Sequence, residues 1–173
     1  MENNTKKVKL DPIIIRDLWS EEEKIVLRTL KKLRSAGNIG YIPELLKLLQ
    51  KTVNETIRKE LVIFIADIKN PGIIPFILSG LRDPELKNVR GSIVSACWQS
   101  GLDYSKDLGL FVQLFFEGDY GTSLEAFTVI EEAAIDLSPE ELKKVHTEVQ
   151  KGLKKVNEEK KPLALELERL LQE

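Results

Sequence analysis

One cysteine, one histidine and one methionine among 173 residues leave little room for several kinds of chemistry. Cys97 has no second cysteine to pair with, so no intrachain disulfide staples the fold, as suits a reducing compartment. His146 stands alone, whereas a zinc site wants three or four converging ligands, so no metal centre is expected. A nucleophilic Cys97 would need a base, and that one imidazole lies three helices further on. Glycine-rich phosphate loops, HExxH, GxSxG and nucleotide fingerprints are all missing. Glu131 and Glu132 are adjacent, so on a helix they diverge and make a poor general acid/base pair. Accordingly no cofactor is expected, and the chain reads as a non-enzyme.

Positive charge is in no surplus either. A net charge of -2 and a pI near 5.7 argue against nonspecific affinity for nucleic acid, which rests on excess Lys and Arg. No apolar run approaches the roughly 18 residues of a membrane span, and the leading MENNTKKVKL lacks the apolar stretch of a secretion signal. The expectation is a cytoplasmic protein that does not engage a membrane. Strand-like alternation is absent too, which excludes a β-sheet core.

What the chain does have is an internal period. YIPELLKLLQ (41–50) laid under IIPFILSGLR (73–82) aligns Pro43 with Pro75 at a separation of 32, and carries Ile42, Leu45, Leu46 and Leu49 onto Ile74, Ile77, Leu78 and Leu81. These residues recur at three-and-four spacing, one face of a helix. The same shift superposes Ile57-Arg58 on Val89-Arg90, Leu61 on Ile93 and Ile65 on Cys97, so one offset matches two helices. A further 34 residues brings Leu108, Phe111, Val112 and Phe115 into register, and 34 more brings Leu142, Val145, His146 and Val149. Neither helix of a unit can shield its apolar face alone, so each needs its partner and a neighbouring pair. The period predicts a polar N-terminal extension over 1–11 and one repeat domain over 12–173, with helix pairs at about 12–35, 41–69, 73–100, 106–136 and 139–172. Capping boxes are expected at Ser20–Glu23 and Ser138–Glu141.

A 34-residue tetratricopeptide pattern would want a tryptophan, a Leu-Gly and a tyrosine in its first helix, and none recur. The stretch GLRDPELKNVRGSIVSACW instead resembles a HEAT repeat, through Asp83-Pro84 at the turn and Val89-Arg90 before a run of small apolar residues. It departs from the pattern in its Asp-to-Arg spacing of seven, one longer than usual, and in Lys51-Thr52, which replaces Asp-Pro one unit earlier. The resemblance covers about residues 12–172 and is clearest in the second and third pairs. It implies an all-α, right-handed α-α superhelix, an armadillo-like solenoid of about five hairpins, with second helices on the concave side. It also implies a scaffold role for Arg58 and Arg90, each pairing with a turn aspartate such as Asp83 or with a helix end. Some HEAT-like proteins are DNA glycosylases with a basic concave groove, and others are lyases or chaperones that attach a chromophore to a partner. The first of these fits poorly with acidic concave candidates, and no residue here selects the second.

Two local anomalies remain. Trp98 stands where Ala66 does one unit earlier, so its ring either packs under GLDYSKD near Leu102 and Tyr104 or emerges on the concave side. Residues 107–139 hold seven acids and no Lys or Arg, whereas residues 1–35 hold nine basic against six acidic side chains. Such a segment either keeps itself soluble or docks a basic segment of a protein partner. On the second reading, the residues expected to meet that partner are Trp98, Glu125, Glu131 and Glu132, with Phe116 and Tyr120 at the margin.

Overall fold

A strand-free chain with repeated amphipathic segments has to bury apolar helix faces against one another. The computed structural model describes residues 10–172, and among them there is no strand. The helices are α1 (Pro12–Leu18), α2 (Glu23–Ala36), α3 (Ile42–Lys51), α4 (Glu55–Ala66), α5 (Ile74–Arg82), α6 (Arg90–Ser100), α7 (Leu108–Glu117), α8 (Tyr120–Ala134), α9 (Pro139–Leu153) and α10 (Lys161–Leu170). Each expected span holds two of them. Most of the expected N-terminal extension, residues 1–9, lies outside the described residues. Asp11 already belongs to the fold. Its carboxylate accepts the Ile13 amide at 2.8 Å to cap α1, and its own N–H donates to the Tyr41 hydroxyl at 2.9 Å.

The repeated apolar positions are the core. Ile42, Leu45, Leu46 and Leu49 of α3 are buried, as are Ile77, Leu78 and Leu81 of α5 and Leu108, Phe111, Val112 and Phe115 of α7. From the second helices come Ile57, Leu61 and Ile65 and their counterparts Val89, Ile93 and Cys97. The helices α2, α4, α6, α8 and α10 pack side by side in that order, while α3 meets α5 and α7 meets α9. All the extensive helix contacts lie within a hairpin or between hairpins consecutive in the chain.

Local chemistry sets where helices begin. Asn38 and Asn70 each accept the amide two residues on, at 2.9 Å, and open a short 3-10 turn before a first helix, while Asp103 accepts the Ser105 amide at 2.9 Å one residue ahead of the third such turn, whose N-cap is Tyr104. Asn54 and Asp119 cap α4 and α8 through the Ile57 and Thr122 amides. Ser138 forms the expected capping box with Glu141. Ser20 does not: it accepts the Glu22 amide at 3.1 Å, and α2 starts two residues later than that motif implies. The second helix of the third hairpin begins in a different way. Asp83 accepts the Glu85 amide and Pro84–Val89 winds as 3-10, so that Leu86 is buried and regular α-helix begins only at Arg90.

The connector before α10 reads as solvated charge but supplies a buried cation. Lys160 is 5% exposed, and its ammonium donates to the carbonyls of Phe115, Phe116 and Gly118 at 3.1, 2.7 and 2.8 Å. These carbonyls end α7, where a helix carries partial negative charge and unpaired acceptors. Burial holds the Lys160 pKa below its ordinary value.

Candidate functional site

The two second helices α6 and α8 converge near their C-terminal ends. At Gly101, with φ +63°, the chain enters the left-handed region and turns out of α6 into residues 102–107. Trp98, one turn earlier, faces α8 and donates its indole N–H to the Glu125 carboxylate at 2.6 Å. That bond fixes the ring plane of a half-buried tryptophan. Beside it opens a cleft of about 320 Å³, walled by Trp98, Leu102, Tyr104 and Val129 and edged by Asp103, Glu132 and Asp136.

The walls are firm and chemically quiet. Tyr104 is buried, its ring edge-on to Phe111 with centroids 5.5 Å apart. Burial, and then the Cys97 neighbour, push its phenol above the ordinary range. Cys97 is buried beneath, bonded to the Ile93 carbonyl, and burial pushes its thiol up to about 12. At neutral pH it is a protonated packing group. Asp103 is held below the ordinary carboxylate range by hydrogen bonds from the Ser105 hydroxyl and amide, so it is charged. No group of three or more His, Cys, Asp or Glu converges as metal ligands do among the described residues. His146 lies elsewhere, between α9 and α10, beside Glu168 and Gln172.

Trp98, Glu125 and Glu132 are thus brought together. Glu131 is exposed on the adjoining face of α8, a face that also presents Leu124 and Ile135, the latter 82% exposed. Tyr120 is exposed at the first turn of α8, about 18 Å along the helix from Glu132 at 1.5 Å per residue, and does not line the cleft. Phe116 is not a free aromatic beside the acids. Its ring packs half-buried on α9 against Gly152, where any β-carbon would collide with it, and stands edge-on to Phe115 at 4.9 Å.

Four acids of the segment have structural partners: Asp107 with Arg82 at 3.5 Å, Glu117 with the Gln113 amide at 3.0 Å, Asp119 with the α8 N-terminus, and Glu125 with Trp98. Glu131, Glu132 and Asp136 carry no ion pair among the described residues. Arg58 donates to the Thr52 carbonyl at 2.9 Å, and Arg90 to that of Asp83 at 3.4 Å. In both hairpins the arginine therefore ties the second helix to the end of the first, and at Asp83 it uses the main chain while the carboxylate serves the turn.

Reading by residue type overlooked Asp103, Tyr104 and Asp136 as cleft residues. Asp103 lies one residue ahead of the register of Asn38 and Asn70, which falls on Tyr104, and Asp136 lies one turn after Glu132. Fold and site together define an all-helical chain of successive hairpins with an acidic, aromatic-walled cleft between its third and fourth second helices. A scan of the sequence against protein-family models finds no match, and a search of curated proteins finds none.

Proposed function

We propose that the hairpins form a short, right-handed HEAT-like superhelix serving as a cytoplasmic, non-enzymatic interaction module that binds a basic segment of a protein partner. The observation that carries this reading is the set of carboxylates without an ion pair, Glu131 and Glu132 on α8 and Asp136 just past its end, next to a tryptophan already oriented by Glu125. Extensive packing of each hairpin against its chain neighbours supports the superhelix. Complementary charge would accelerate encounter, while the aromatic wall would supply contact area once the partner is seated. No helix among the described residues is long and apolar enough to cross a membrane.

The test is fluorescence anisotropy of a labelled Arg- and Lys-rich peptide titrated with the protein at low and at physiological salt. Binding is expected to weaken with salt and to fall about tenfold on reversing Glu131 and Glu132 to lysine, with Glu125 retained so that Trp98 keeps its partner. Equal binding by wild type and the reversed variant, or none by either, overturns the proposal.

A further inference from the structure

The chain contains a second cleft of the same construction. Sixty-four residues before Gly101, Gly37 also has φ +63° and ends α2, and beside it a cleft of about 210 Å³ opens between α2 and α4. At the same shift, the place of Trp98 belongs to Arg34. The Arg34 guanidinium lies over the Phe64 ring, 5.7 Å from its centroid, with Asp67 at 3.5 Å and Glu60 at 3.7 Å. An internal cation there rests on an aromatic face between carboxylates of the next second helix.

In the cleft at Trp98 the aromatic and the carboxylates are present, and the cation is not. Trp98 and Tyr104 supply rings, Glu132 comes from the next second helix and Asp136 from just past its end, and no Lys or Arg lines the space. Neither nearby lysine lines the cleft: Lys69 donates to the Ser100 carbonyl at 2.7 Å, and Lys106 is exposed on the connecting turn, where its charge acts on Asp103. The opening is also larger than the one that Arg34 lines. A planar guanidinium suits it better than an ammonium, since it can stack on an indole while its fork meets two acids.

Resting on the reading of the chain as a module for basic segments, we infer that the Trp98 cleft is the seat for one arginine side chain of that partner, the counterpart of Arg34 in the first cleft. Trp98 acts as the platform, Glu132 and Asp136 as the anionic rim, and Glu125 as the positioning residue for the ring.

The experiment follows the Trp98 indole resonance by ¹H–¹⁵N NMR in a Trp19→Phe background. The probes are a short Arg-Ser peptide, the matching Lys-Ser peptide and N-acetyl-arginine methylamide. The Arg-Ser peptide should move the Trp98 signal and bind more tightly than the lysine peptide or the single-residue derivative. Its affinity should drop about tenfold with Glu132→Gln plus Asp136→Asn and stay unchanged with Glu21→Gln, an exposed acid of the first hairpin. Ala133→Arg, which places a guanidinium in the cleft, should abolish the shift, and Asp136→Arg does the same from an exposed position if the first variant misfolds. Binding of either peptide without movement of Trp98, or binding indifferent to both arginine variants, removes the seat and leaves the interaction module standing. Equal affinity for the single-residue derivative overturns the partner segment as occupant, and binding by neither peptide removes both readings.

Discussion

Asp119 uses its charge for the fold. Its carboxylate accepts the Thr122 amide at 2.7 Å, and that bond first, then one from the Thr122 hydroxyl, hold its carboxyl below the ordinary range. A depressed carboxyl contributes stability that is present above its unfolded pKa and lost as pH falls through the folded one. Asp119→Ala is therefore expected to cost about 1 kcal/mol at pH ~7 and progressively less below pH ~4, where the wild-type cap is itself protonated. Urea unfolding of both proteins across that range checks it, and a gap that stays constant in acid would show that the charge is irrelevant. Neighbouring Gly118 illustrates the same economy of groups, since its carbonyl is one of the three that hold Lys160.

At the scale of elements, α2 and α6 end alike. Both stop at a glycine in the left-handed region, and in each case the chain then makes an Asx turn, at Asn38 or Asp103, before the next first helix. Alanine at either glycine meets no atom within 4 Å, so its cost is backbone strain alone. Gly37→Ala and Gly101→Ala should each lose about 1 kcal/mol, and the pair should add, because the sites share no partner. The measured quantity is the denaturant midpoint. Loss from one glycine and not the other would mean that the two helix ends are not equivalent. Gly101→Ala should in addition displace the Trp98 resonance, since it alters the path that carries Asp103 and Tyr104 to the cleft.

For the molecule as a whole, connectivity limits how far a perturbation spreads. Lys160 joins the last hairpin to the fourth through three carbonyls, one of them on the buried Phe115. Lys160→Met keeps the stem but strands those acceptors, a loss of about 3 kcal/mol. With the extensive contacts of each hairpin confined to its chain neighbours, hydrogen exchange should accelerate in α7 to α10, while α2 and α4 keep wild-type protection. Uniform loss of protection along the chain would instead mark a single cooperative core.

Helical class, the phase of the apolar positions and the charge imbalance follow from the sequence by itself, because each is a property of spacing within one or two turns. Ile42, Leu45, Leu46 and Leu49 had to share a face whatever they met, and they are buried. What those faces meet was decided across hairpins. Ser20 and Ser138 begin the same motif, yet only Ser138 forms the box. Phe116 and Trp98 look equally available, yet Gly152 accepts one ring and Glu125 orients the other at the cleft. Lys160 looks like one more solvated charge until α7 brings three carbonyls to it. Spacing along the chain determines which side of a helix is apolar, but the partner of any one side chain sits on another helix, and only the packing of hairpins puts the two together.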